Sequence, residues 1–167
     1  MALKTDIRGM VWRYPDCFVV GREQVREFAR ASKCDHPAHF SEAEAAKLGY
    51  DAILAPLTFL SILAKYVQID FFRNVDLGME SLQIVQVDQE FLYFKPIMVG
   101  DKLWGRIDIQ SVNERFGADI VVTKNVLTDD DGNVVMEAYT TLMGRHGDGS
   151  VPLRWDKESG QVVRIAD

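Results

Sequence analysis

Pro56-Leu57-Thr58-Phe59-Leu60-Ser61-Ile62-Leu63-Ala64-Lys65-Tyr66-Val67-Gln68-Ile69-Asp70-Phe71-Phe72 is the stretch on which the fold turns. A proline in the first turn suits a helix start, because its fixed φ is already helical and its missing N–H would have no intrahelical partner there. From Leu57 to Phe72 apolar side chains then fall on nearly every face. A helix apolar on most sides must be buried on most sides, which a curved sheet wrapped around it achieves. Beyond Asn74 the helical period stops, and from Leu82 onward the pattern alternates with period two for about sixty residues, as consecutive strands do. Leu103, Gly105, Ile107 and Ile109 share one face, while Lys102, Trp104, Arg106 and Asp108 share the other. Turn signals at Val99-Gly100-Asp101, Phe116-Gly117 and Asp129-Asp130-Asp131-Gly132 divide the run, the last separating Ile120–Leu127 from Val134–Met143 as in a hairpin. The predicted class is α+β, an antiparallel sheet wrapped around one long central helix.

Upstream, Arg22 to Ser32 places Val25, Phe28 and Ala29 at helical spacing, which predicts an amphipathic helix. Ser41-Glu42-Ala43-Glu44 reads as a capping box, with Gly49 as the stop of a short second helix. After Gly144 the composition shifts to His146-Gly147-Asp148-Gly149-Ser150 and a tail containing Trp155. Residues 1–145 are therefore expected to form one domain and 146–167 an extension, irregular or with a short edge strand at Val162, Val163 and Ile165.

The chain has 167 residues, 47% of them hydrophobic and 26% charged, which supplies a core for one domain. Its formal charge of −6 argues against a nucleic-acid partner, since neutralising phosphates needs clustered cations. Cys17 and Cys34 have no metal-ligand spacing and make no disulfide framework, which fits a reducing compartment. Lys4, Asp6 and Arg8 sit where a secretory signal would be apolar, and no stretch reaches the ~18 apolar residues of a membrane span. A soluble cytoplasmic protein is expected.

Phe94-Lys95-Pro96-Ile97-Met98-Val99-Gly100-Asp101-Lys102-Leu103 resembles the strand-turn-strand element of the MaoC-like hydratase/dehydratase family. Arg26-Glu27-Phe28-Ala29-Arg30-Ala31, followed by Asp35-His36-Pro37-Ala38-His39-Phe40, resembles the helix and loop that carry catalysis there. With Ala55-Pro56-Leu57-Thr58-Phe59 and Ile84-Val85-Gln86-Val87-Asp88-Gln89, the chain looks closest to the non-catalytic small subunits (HadA/HadC type) of the mycobacterial heterodimeric (3R)-hydroxyacyl-carrier-protein dehydratase. The resemblance runs from residue 5 to residue 145. It implies a hot-dog fold and conversion of 3-hydroxyacyl thioesters to trans-2-enoyl thioesters in long-chain fatty acid and mycolic acid elongation. It also implies a catalytic MaoC-like partner in a heterodimer, and a substrate carried on the phosphopantetheine arm of acyl carrier protein or CoA, with no other cofactor and no metal.

Such a dehydration needs a base for the C2 proton, an acid for the departing hydroxyl and donors for the charge on the thioester oxygen. The family's motif places an Asp five residues before a His, and a Gly whose N–H opens a helix. With the His position on His39, the Asp position falls on Cys34, and Asp35 lies one residue out of register. The Gly position falls on Leu57 behind Pro56, so the oxyanion pocket is expected to be filled. The resemblance therefore implies a subunit lacking a full dyad, with His39 and Asp35 the only catalytic candidates. Pro56, Leu57, Phe59, Leu60, Leu63, Tyr66, Val85 and Val87 are the expected substrate-binding residues. Three alternatives stay open: an autonomous enoyl-thioester hydratase homodimer using His39 with Asp35, an acyl-thioester hydrolase, and a lipid-binding module. The plainer readings are that His36 and His39 are loop histidines, Cys34 a filler, and the aromatic pairs core or interface packing.

Overall fold

Side-chain alternation builds the sheet, and one glycine lets the helix lie on it. The computed structural model describes residues 3–78, 82–146 and 153–164. Strands β1 (Val11–Arg13), β2 (Phe18–Val19), β3 (Leu82–Tyr93), β4 (Lys102–Arg115), β5 (Ala118–Thr128) and β6 (Val134–His146) form one antiparallel sheet in the order β1-β4-β5-β6-β3, with β2 also on β4. Helices α1 (Arg22–Ala31), α2 (Glu42–Ala46) and α3 (Ser61–Asn74) precede β3, and a 3-10 turn over Leu57–Leu60 leads into α3. The sequence reading puts helices first and then a meander; in the structure two short strands precede the helices, and only β4-β5-β6 run as a meander, β3 pairing with β6 at the far edge instead of with β4.

Leu63, Val67 and Phe71 recur every four residues along α3 and are 0–1% exposed, so this stripe is the helix's buried face. It meets the inward row of the sheet, including Leu103, Ile107, Leu127 and Met136, in one core cluster. At Gly105 the approach is too close for a side chain: a Cβ there would stand 2.5 Å from the Val67 Cγ2. The near-continuous apolar pattern had suggested burial all round, but the sheet covers one side only. Tyr66 is 41% exposed, and Ile62, Ile69 and Phe72 are half-buried.

Two details differ from the sequence reading. Ser41 stands at the N-cap of α2 in extended conformation, yet its side chain accepts no capping hydrogen bond, so the capping box does not form. The tail, expected to be irregular or to add an edge strand, instead pairs with itself: β7 (Leu153–Asp156) and β8 (Gln161–Arg164) form a separate hairpin. Ile165 and residues 147–152 lie outside the described residues. Trp155 of this hairpin packs edge-on against Phe72 of α3, ring centroids 6.0 Å apart.

β3 is hydrogen-bonded to β6 along one side, and among the described residues nothing pairs with its other side. Twelve residues long, it carries Val85 at 54% and Val87 at 51% exposure, with a register shift between Gln86 and Asp88. An edge of this length with apolar side chains is a template for another strand.

Candidate active site

The site is assembled from three loops by backbone hydrogen bonds. At the end of α1 the Lys33 N–H donates to the Arg30 carbonyl and the Cys34 N–H to the Ala29 carbonyl, 3.2 and 2.8 Å, with Lys33 at φ 57°. This is a Schellman closure, and it fixes where Cys34 leaves the helix. A 3-10 turn over Pro37–His39 follows, which His36 caps by accepting the Ala38 N–H through its Nδ1. The turn is tied to the segment before α3, because the Leu54 N–H donates to the Ala38 carbonyl at 3.1 Å. That segment is tied in turn to the strand-turn-strand element, the Ala55 N–H donating to the Ile97 carbonyl at 2.8 Å.

His39 Nδ1 lies 2.7 Å from the Leu54 carbonyl oxygen. A carbonyl only accepts, so Nδ1 carries a hydrogen, and Nε2 is the ring nitrogen left for another partner. A cavity of about 560 Å³ opens beside the ring. Cys34 and His39 line it together with Pro56, Leu57 and Leu60, so the residues at the motif's Asp, His and Gly positions meet as the spacing implies. Asp35 is exposed and does not line the cavity. The one-residue offset thus turns it away from His39 rather than substituting it for the missing acid.

Leu57 was expected to fill the oxyanion pocket. Instead it stands at the rim, 71% exposed, and the cavity remains open beside it. Leu57 and Thr58 open the 3-10 turn, where backbone N–H groups have no partner within the turn. Of the other expected binding residues, Phe59 and Leu63 are fully buried in the core, Tyr66 faces outward from α3, and Val85 and Val87 are exposed on β3. Tyr50, Tyr93, Phe94 and Lys95 also line the cavity and were not singled out as site residues. Burial pushes the Tyr93 phenol up from its ordinary pKa, so it stays a neutral hydrogen-bonding group at pH 7. The Lys95 ammonium at the mouth donates to Asp129 Oδ2 at 2.9 Å, which holds its pKa above the usual lysine value. Phe94 and Lys95 lie in the stretch that carries the family resemblance, but that stretch implied no site role for either. Among the described residues no cluster of His, Cys, Asp or Glu is arranged to hold a metal, and no helix is long and apolar enough to cross a membrane.

Residues 8–138 match the model of the FAS1-like dehydratase domain region. A UPF0336 protein of Mycobacterium tuberculosis (strain ATCC 25618 / H37Rv) is 75% identical over 166 residues, covering 99% of this chain and all of the relative. The crystal structure of a C-terminally truncated HadBC (3R-hydroxyacyl-ACP dehydratase) complex from Mycobacterium tuberculosis contains a chain 73% identical to this one. The TM-score is 0.79, over 84% of this chain and 99% of that one. A solved MaoC-like dehydratase matches with the same TM-score of 0.79 at 34% identity, over 88% of this chain but 45% of that one.

Proposed function

The chain belongs to the FAS1-like dehydratase family with the MaoC-like hot-dog fold, and from that premise we propose that it is the substrate-shaping subunit of a (3R)-hydroxyacyl-thioester dehydratase, without a complete catalytic dyad of its own. The observation that carries this is the content of the cavity: His39 is anchored through Nδ1, which leaves Nε2 as the nitrogen that can act as a base, but the acid's position holds Cys34 and the nearest carboxyl in sequence, Asp35, is exposed. Elimination moves the C2 proton to a base, breaks the C3–O bond and requires a proton on the leaving hydroxyl so that water departs. A thiol gives up its proton far less readily than a carboxylic acid. The chain therefore retains a base without the acid that completes the cycle.

The rest of the reading is a division of labour. The free edge of β3 accepts a second hot-dog subunit that carries an intact Asp/His pair, which agrees with the heterodimer formed by the 73% identical chain in the HadBC complex. The acyl group arrives on the phosphopantetheine arm of a carrier protein or CoA and needs no metal or redox group. Each methylene buried against this subunit is worth about 0.8 kcal/mol, so it sets chain-length preference in mycolic-type elongation without touching the reacting atoms. Cys17 and Cys34 are both free thiols, which suits a cytoplasmic enzyme.

The test is hydration of a long trans-2-enoyl thioester by the chain alone, then by its mixture with a dyad-bearing MaoC-like subunit, with sizing of each sample. Activity confined to a mixed dimer, and changed by less than about twofold when His39→Ala is made in this chain, is the expected result. Comparable turnover by the lone chain, lost in His39→Ala, would refute the division of labour and install His39 as the base of an autonomous hydratase.

A further inference from the structure

A second cavity lies at the far end of α3 from His39. It is small, about 30 Å³, and sits between the C-terminal half of the helix and the inward face of the sheet. Phe71, Ile107, Ile109 and Leu77 wall it and are all 1–3% exposed. Its more exposed lining residues are Ile84 of β3, 37% exposed, and Gln68 of α3, half-buried.

The end of the cavity is closed by the N-terminal segment. Leu3 and Ile7 line it. The backbone N–H of Leu3 donates to Asp119 Oδ2 at 2.8 Å, and Asp119 itself is 1% exposed. Further latches hold the strap: the Lys4 N–H on the Leu77 carbonyl at 3.2 Å, the Lys4 ammonium on Asp76 at 2.6 Å, and the Thr5 hydroxyl on the Asp76 carbonyl. Burying the Asp119 side chain is costly unless it is hydrogen-bonded, and the Leu3 N–H supplies one such bond.

Two hot-dog subunits that pair through the same edge are related by an approximate two-fold axis, which makes their β3 strands antiparallel. The start of this chain's β3, with Ile84, then lies beside the end of the partner's β3. In this chain that end, Tyr93, borders the His39 cavity. On that pairing the small cavity lies on the side of this subunit that faces the partner's reacting centre, with Ile84 between them.

We propose that this cavity receives the methyl end of the acyl chain bound at the partner's active site, and that Leu3, latched through Asp119, is the stop that sets the longest chain accepted. The inference rests on the division of labour above. As it stands the cavity holds about one or two terminal carbons. Leu3→Ala deletes three side-chain carbons at a half-buried position and deepens it. Gly144→Val does the opposite: Gly144 lines the cavity, and a Cβ there would meet only the Ile84 Cγ1 at an ordinary 3.5 Å.

The experiment measures kcat/KM of the mixed dimer across trans-2-enoyl thioesters of increasing chain length. Leu3→Ala is expected to raise kcat/KM about tenfold for substrates two carbons beyond the wild-type optimum, from the burial of two more methylenes. Gly144→Val is expected to depress only the longest substrates, and both variants should keep the wild-type rate on short ones, which also reports that the dimer is folded. An active wild-type dimer whose length profile is unmoved by either substitution overturns the stop while leaving the division of labour intact. A wild-type mixture inactive at every length overturns both.

Discussion

Gly105 is the point where the sheet comes closest to the helix that positions the site. An alanine there would place its methyl 2.5 Å from the Val67 Cγ2 and 3.3 Å from the Leu127 Cδ2. Ordinary carbon contacts begin near 3.5 Å, so a movement of about an ångström is forced on a fully buried, β-branched neighbour with little rotamer freedom. Such overpacking costs about 1–3 kcal/mol, against a gain of roughly 0.5–1 kcal/mol for replacing glycine within a strand. Gly105→Ala should therefore destabilise by about 1–2 kcal/mol. Val67→Ala alone removes two buried methyls and should cost about 1.5–3 kcal/mol. In the double variant the new methyl enters the space that Val67 vacates, so the two losses do not add, and the coupling should reach about 1 kcal/mol or more. Urea denaturation of the four proteins gives these values directly, and each kcal/mol also lowers Tm by about 2–4 °C for a chain of this size. Additivity within about 0.5 kcal/mol, or a neutral Gly105→Ala, would show that α3 is not packed against β4 as described.

Two further tests address the turns. Asp129 accepts hydrogen bonds from Lys95, the Asp131 N–H and the Asn133 N–H, and the Lys95 bond is the main cause that holds its carboxyl below the usual range. A depressed carboxyl stabilises the fold above the unfolded value of about 3.9 and loses that contribution as pH falls through the folded value. The Tm difference between wild type and Asp129→Asn should thus be constant near neutrality and vanish in acid; a difference unchanged at pH 2–3 would contradict the linkage. Phe116 opens the β4–β5 turn at φ 55°, followed by Gly117 at φ 72°, a type I′ geometry that favours Asn-Gly. Since Phe116 is wholly exposed, Phe116→Asn gives up no burial and should stabilise the chain by about 0.5–1 kcal/mol, read as a raised Tm. A lowered Tm would mean that the phenyl ring has a contact within the chain.

The sequence made the fold legible because its two periods are unambiguous. The stripe of Leu63, Val67 and Phe71, and the alternation of Leu103, Gly105, Ile107 and Ile109, correspond to the buried faces. Spacing likewise brought Cys34, His39 and Pro56-Leu57 to one cavity and left Asp35 outside it. What pattern missed depends on which direction a side chain takes. Leu57 has the bulk to fill the pocket but not the orientation, and Ser41 has a capping hydroxyl that makes no capping bond. Tyr50 and Lys95 reach the cavity from loops distant in sequence, and no local signal reports such a meeting. The hairpin of β7 and β8 rests on only four residues a side, too few for alternation to distinguish it from an extension.

The side of β3 that is unpaired among the described residues also bears on how the protein is made. Until that edge is covered it offers a row of backbone donors and acceptors flanked by Val85 and Val87, to which a second copy or a nascent chain can add as well as the proposed partner. On the proposed division of labour, chains made in excess of the partner would keep this edge uncovered and so be prone to aggregation or proteolysis. Matched supply of two chains would then follow from a single strand.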